Sequence, residues 1–369
     1  MQVKKTEINS KNLYCLLDES GTPISEVLEF MTYMQARGYS PNTLQAYAYD
    51  LKYLFTFFKR KNLSINTFTT SKSLSFLEYL RKVPGRTTID GQLLLSPFSI
   101  NRVLSAVSMF YEYLLLTTEA DSIENPIQKT FDPTILRVSE RHRPFLGLVL
   151  KQKPVRRKLR VRTYQRLPRP LSDGQVIKII DAMKNLRDKA IFTLMLQGGL
   201  RPGEVLNLHL DDIQYGRRRV VIRYREDHPK GVRTKSRFER VVDIYEPEAL
   251  TLLSSYVMKE RPIEANNPHV FLVGGQGKRR FEPLGYSALI KRFNRTCQKL
   301  GIQQPGLSPH ALRHTHATKM WEGGMRELTL QKRLGHASPE STRIYTRVSD
   351  SVLLDEYLRA LSKAKEGAN

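Results

Sequence analysis

Cysteine is scarce in this chain. Cys15 and Cys297 are two in 369 residues, too few and too far apart for a disulfide framework or a cysteine-based zinc site. Long apolar runs are missing as well. The best stretches, AIFTLML and YLLL, fall well short of the roughly 18 residues that span a bilayer and sit inside amphipathic patterns. The opening MQVKKTEINSKN lacks the apolar core of a secretory leader. These absences lead to the expectation of a reduced, cytoplasmic protein. Acidic residues are also in deficit, with 36 Asp plus Glu against 60 Lys plus Arg and a formal net charge of +24. Such an excess calls for a polyanionic partner. Nucleic acid is preferred over an anionic membrane because no anchoring segment accompanies the charge.

A chain of this length is expected to form two domains, each large enough to bury its own core. Residues 1–20 read as an irregular N-terminal extension. Residues 21–126 read as a helical bundle. In SPNTLQAYAYDLKYLFTFFKRK, Ser40 is a candidate N-cap with Pro41 at the first helical position, and Leu44, Tyr47, Leu51, Leu54 and Phe58 recur at helical steps. A second run, SINRVLSAVSMFYEYLL, follows the same design behind Ser99. Residues 127–169 read as a basic linker, and residues 170–350 as a mainly helical domain with a small β-sheet. Ser172 and Gln175 form a capping box there, and VVIRY and RVVDI are strands of a hairpin with a long basic tip. Residues 351–369 carry an apolar helical pattern, including Val352, Leu353, Leu354, Tyr357 and Leu358. The fold class is therefore mainly α with a small β-sheet.

The linker segment KQKPVRRKLRVRTYQRLPR, residues 151–169, holds nine Lys or Arg and no acid. Alone, such a run is often a solvated tail. Between two folded regions of a strongly basic chain it suits a phosphate backbone. Lys151, Lys153, Arg156, Arg157, Lys158, Arg160 and Arg162 are the candidate DNA contacts.

Chemistry concentrates in LSPHALRHTHATKMW. Ser308 and Pro309 read as a cap and a first-turn proline, placing His310 and Arg313 three apart on one face at a helix start. Free N–H groups, an imidazole and a guanidinium there suit an anion. His310 and His314 also have the four-residue spacing of a zinc pair. However, Ala311 replaces the glutamate of the zinc-protease motif, and Arg313 on that face repels a cation. The same device recurs at Arg201-Pro202, where Glu204 is placed to hold the guanidinium. Further on, LGHASPESTRIYTRV sets His336 in a turn and Tyr345 nine residues later.

With these residues in order, the chain resembles the tyrosine recombinases of the phage integrase family, whose pattern is Arg…Lys…His-x-x-Arg…His…Tyr. Arg201 matches the first arginine, His310 and Arg313 the His-x-x-Arg box, His336 the second histidine and Tyr345 the nucleophile. The 23-residue and nine-residue steps between the last three motifs are typical of the family. The family's lysine lies on a β-hairpin. Lys235 in TKSRFERVVDI is the best match and Lys230 the fallback. The resemblance covers residues 170–348 and, more weakly, the helical region, which looks like the family's core-binding domain.

This resemblance implies an enzyme, a site-specific recombinase that cuts and rejoins double-stranded DNA through a 3′-phosphotyrosyl link and a Holliday junction. It implies a homotetramer on paired sites, with accessory proteins in some systems. The long extension and linker look more like a mobile-element recombinase or transposase than a chromosome-resolving one. In the implied roles Tyr345 attacks, Arg201 and Arg313 hold the phosphate, His310 is the base, Lys235 the acid, His336 a hydrogen-bond donor, and Glu204 orients the site. No metal and no other cofactor is implied. GGQGKRR is not a phosphate loop, because Arg279 stands where Ser or Thr is needed. A type IB topoisomerase-like enzyme and a catalytically silent DNA binder of the same fold are the alternatives. His314 and His316 are left as structural residues.

Overall fold

The computed structural model describes residues 1–8, 11–89, 92–117, 123–131, 155–163, 169–234, 239–346, 354 and 357–358. Lys151, Lys153 and Lys235, and all but three residues of the expected tail, lie outside these. The chain divides into two compact units, Met1–Gln165 and Arg166–Asn369.

The N-terminal unit begins with strands β1 (Gln2–Ile8) and β2 (Lys11–Leu17), an antiparallel hairpin where the sequence suggested only an irregular extension. The strands form because Leu13, Cys15 and Leu16 find an apolar surface to cover. That surface belongs to helices α1 (Ser25–Ala36), α2 (Pro41–Lys61), α3 (Thr70–Arg81) and α4 (Pro97–Thr117). Ser40 caps α2 as expected, its hydroxyl accepting from the Thr43 N–H. α4 starts two residues before the expected Ser99. Ser96 is its cap, accepting from the Ser99 N–H at 3.1 Å, and Pro97 takes the first helical position. A second hairpin, β3 (Pro84–Ile89) with β4 (Gln92–Leu94), joins α3 to α4.

The aromatic residues of this unit are core, with Phe30, Phe57, Phe68, Phe76, Phe110 and Tyr111 all essentially buried. One ion pair ties α2 to α4, as the buried Asp50 carboxylate accepts from Arg102 Nε and Nη2 at 2.8 and 2.9 Å. Residues of the basic segment fold back onto this unit. β5 (Lys129–Phe131) pairs with β6 (Val155–Arg157), Leu159 and Val161 pack on the helical core, and the Val161 backbone is held by both ends of the Asn101 amide.

The C-terminal unit starts with α5 (Asp173–Asp181), whose Ser172–Gln175 capping box forms as read. α6 (Leu186–Gln197) is capped by Asn185 and buried on most sides, and it packs against α8 (Pro247–Lys259). Between them lie the short α7 (Pro202–Leu206) and a three-stranded antiparallel sheet, β7 (Ile213–Gln214), β8 (Arg219–Ile222) and β9 (Arg240–Asp243). Val220, Ile222 and Val242 face the core from that sheet. α9 (Tyr286–Lys299), α10 (His310–Glu322), α11 (Glu327–Leu334) and α12 (Glu340–Thr346) complete the unit. No helix among the described residues is long and apolar enough to cross a membrane.

Candidate active site

The site assembles where helix ends meet. α10 begins one residue later than the Ser308 cap implied. Pro309 is the N-cap, and the Ser308 carbonyl, not its hydroxyl, accepts from the Ala311 N–H at 2.8 Å. His310 is therefore the first helical residue and Arg313 closes the first turn. Arg201 is the N-cap of α7, with Pro202 and Glu204 in the turn it opens.

Three arginines converge on one buried carboxylate. Arg201 Nη1 donates to Glu204 Oε1 at 2.8 Å. Arg240, from the start of β9, donates through Nη1 and Nη2 to the two Glu204 oxygens at 3.0 and 2.8 Å. Arg313 Nη1 stands 3.8 Å from Oε2. Burial alone raises the Glu204 carboxyl, but Arg240, Arg313 and Arg201 overcome it and hold the group at about 2. Glu204 is thus an anion throughout the physiological range, and the cluster keeps a net positive charge.

The C-terminus of α11 supplies the rest of the frame. Its last carbonyls have no partner within the helix and carry the negative end of its dipole. The Arg333 carbonyl accepts from Arg240 Nε at 3.0 Å, the Leu334 carbonyl from Arg313 Nη2 at 2.7 Å, and the Gly335 carbonyl from Arg201 Nη2 at 3.1 Å. Three successive carbonyls therefore orient three guanidiniums. Gly335 ends α11 with φ +64°, and a Cβ there would stand 2.6 Å from Arg240 Nη1. Arg313 is completed by the Gly199 carbonyl at 2.6 Å. Gly199 also has positive φ, and a Cβ would meet the His316 ring at 2.5 Å.

Tyr345 lies at this cluster on α12, 1% exposed. Its ring stacks on His336 with centroids 6.3 Å apart, and its hydroxyl meets His314 Nδ1 at 2.8 Å. Burial raises the phenol pKa, while Arg313 and Arg201 pull it down. His336 Nδ1 bonds the Thr342 hydroxyl at 2.8 Å. Burial and then Arg313, Arg201 and Arg240 lower this imidazole to about 3, so it is neutral. His314 is lowered to about 4 by burial, His310 and Arg313.

The structure thus brings Arg201, Glu204, Arg313, His336 and Tyr345 together, with His310 one turn before His314 on α10. Lys235 falls outside the described residues. The fallback Lys230 is ion-paired, its Nζ lying 2.9 Å from Glu282. Of the described basic-segment candidates, Arg156 and Arg157 lie in β6, Lys158 Nζ donates to Gln128 at 2.9 Å, and Arg160 and Arg162 flank Val161 in sequence. Sequence reasoning missed two residues. His314, set aside as structural, is the hydrogen-bond partner of Tyr345. Arg240 carried no local signal beyond its place at a strand start, because its meaning comes from Glu204 36 residues earlier. His316 is structural, its Nε2 accepting from Arg333 Nε at 3.0 Å.

Comparison with known proteins gives two family matches, the phage integrase family over residues 169–351 and the phage integrase N-terminal SAM-like domain over residues 27–117. Transposase A from transposon Tn554 of Staphylococcus aureus is 31% identical across 98% of this chain and 99% of its own length. Tyrosine recombinase XerA of Pyrococcus horikoshii is 28% identical over 92% of this chain and 94% of its own. Among solved structures, the Tn1549 transposon integrase in complex with transposon right-end DNA superposes with a TM-score of 0.61 at 16% identity, covering 91% of this chain and 99% of that one.

Proposed function

The chain belongs to the phage integrase family, and on that premise we propose how its residues cut and rejoin DNA. The protein is a site-specific recombinase. Tyr345 Oη attacks a DNA phosphodiester. A bond from Oη to phosphorus forms as the bond to the 5′-oxygen breaks, leaving a 3′-phosphotyrosyl link and a free 5′-hydroxyl. The tyrosine proton passes to His310 as base, and Lys235 delivers one to the leaving 5′-oxygen. Religation runs the same steps backwards, so the energy of the phosphodiester is retained and no nucleotide is consumed.

The observation that carries this reading is the arginine frame around Tyr345. Charge builds on the non-bridging oxygens in the transition state, and forked guanidiniums held in advance by fixed carbonyls stabilise it without reorganising. Arg201 and Arg313 are such groups. In the tautomer in which the neutral His336 accepts on Nδ1 from the Thr342 hydroxyl, its Nε2–H donates to the same phosphate. For attack, the Tyr345 hydroxyl exchanges His314 for the phosphate, so the buried phenol is a resting arrangement.

Double-stranded DNA carrying paired specific sites is the substrate, and exchange between two duplexes requires a tetramer, in some settings with accessory proteins. The transposase reading is supported by likeness to the Tn554 transposase over nearly the whole chain. Incubation with nicked target duplex tests the mechanism, because loss of the nicked fragment traps the covalent complex. Wild type is expected to accumulate a protein–DNA adduct and Tyr345→Phe none. An adduct with Tyr345→Phe overturns the assignment. Relaxation of any supercoiled DNA without joining of two sites favours the topoisomerase alternative.

A further inference from the structure

Apart from the arginine cluster, the C-terminal unit buries a second group of histidines. His209 and His269 face each other across an isolated antiparallel bridge. The flanking bonds, Leu210 N–H to the Pro268 carbonyl at 3.0 Å and Val270 N–H to the Leu208 carbonyl at 2.8 Å, make them a non-hydrogen-bonded pair. In that register facing side chains are closest, and the two rings lie 4.5 Å apart. Asp227, on the connection from β8 to β9, brings a carboxylate oxygen to 3.9 Å from His209 Nε2. One donor atom from each of the three residues lies within 4.8 Å of the other two.

Two features separate this group from a chance cluster. The Nε2 atoms of His209 and His269 are buried and have no hydrogen-bond partner, in residues only 9% and 3% exposed. A buried polar atom without a partner is costly. The tautomer of His269 is also set. Asn267 Oδ1 accepts from the His269 backbone N–H at 3.0 Å, and Asn267 Nδ2 donates to the Phe281 carbonyl at 3.3 Å, so the amide orientation is determined. His269 Nδ1, 2.9 Å from that oxygen, must donate to it, which leaves the Nε2 lone pair free. An imidazole anchored through Nδ1–H to a carbonyl is the usual second contact of a metal-bound histidine.

We propose that His209, Asp227 and His269 bind a divalent transition-metal ion, zinc first, which fastens the β8–β9 connection to the body of the C-terminal unit. Two imidazoles and a carboxylate leave a fourth position for water, a common zinc set. Bonds of about 2.0–2.2 Å place tetrahedral donors roughly 3.4 Å apart, so side-chain rotation of about 1 Å closes the site. His228 walls the site, its ring 4.9 Å from His269. It is not a ligand, because its Nδ1 accepts from the Lys230 N–H at 3.1 Å and its proton is therefore on Nε2. Arg225 stands nearby but is matched by two bonds to Asp212 at 2.5 and 3.0 Å. Asp227 is 59% exposed and provides the entry.

Tag-free full-length protein, stripped with chelator and titrated with Zn²⁺ alone, tests the site independently of recombination. One zinc per chain is expected, with a Tm that rises with zinc concentration. His269→Ala should weaken binding by at least about 100-fold and Asp227→Asn by at least about tenfold. Cys297→Ser should bind as wild type. Should His269→Ala fail to fold, Asp227→Asn decides, because its side chain is largely solvated and its circular dichroism can be matched to wild type. Failure of wild type to take up stoichiometric zinc overturns the proposal, as does undiminished binding by a folded Asp227→Asn or His269→Ala variant.

Discussion

The interiors of the two units are built from different materials. In the N-terminal unit Phe, Tyr, Leu and Met dominate, with rings such as Phe30 and Phe110 edge to face at 5.4 Å and the Asp50–Arg102 pair as a lone tie between helices α2 and α4 among its described residues. The C-terminal unit buries Arg187, Asp188, Glu204, Arg313 and four histidines, His209, His228, His269 and His316, beside its apolar core. Apolar packing is non-directional and tolerant, so it yields stability and a surface. Buried charge is expensive and survives only when each donor and acceptor is matched. At the arginine cluster that expense is met by the Glu204 carboxylate and the carbonyls of Arg333, Leu334 and Gly335.

The contrast can be broken from either side. Arg313→Lys keeps the charge but cannot serve the Gly199 and Leu334 carbonyls as a fork. Adduct formation under single-turnover conditions is expected to fall by about 10²–10³-fold, as for loss of one preorganised donor, with DNA affinity little changed. Phe110→Ala, in the aromatic core, should cost about 3–5 kcal/mol of stability in denaturant melts. Its adduct rate per folded molecule should match wild type at low temperature.

Acid should act on the histidine-bearing unit first. His316 is 3% exposed and is held at about 3 by burial and Arg333, against an ordinary value of about 6.5. The unfolded chain therefore binds more protons between these values, and stability is complete above pH ~6.5 and lost as pH falls towards 3. At pH 5 His316 alone should account for a loss of about 2 kcal/mol, read as a lower urea midpoint that His316→Asn makes less pH-dependent. The smallest effect belongs to His314→Ala. Because the bond to the Tyr345 hydroxyl is given up before attack, losing it should speed adduct formation about fivefold, without altering the slope of DNA affinity against salt.

Much of the site was legible because its residues sit at helix boundaries that announce themselves. Arg201-Pro202, Ser308-Pro309 and the glycine after Leu334 mark where helices start and stop, and only there do free N–H and carbonyl groups remain. What escaped was everything that depends on a partner far along the chain. The first 17 residues look irregular because their strand pairing means little until Leu13 and Leu16 meet the helices. The cap of α4 was misplaced by three residues because Ser96 and Ser99 both offer a hydroxyl in the same turn.

Composition, helix punctuation and the order of Arg201, His310, Arg313, His336 and Tyr345 were enough to specify a basic, mainly helical, DNA-acting recombinase. These are properties of residue type and short spacing, which the linear chain carries directly. Only the tertiary structure decided that the carbonyls of Arg333, Leu334 and Gly335 align three guanidiniums, that His314 bonds the Tyr345 hydroxyl, and that His209 meets His269. Those contacts join residues up to 134 positions apart, as between Arg201 and Gly335. Their geometry is set by how helix ends and strands pack, and no local pattern in the chain encodes it.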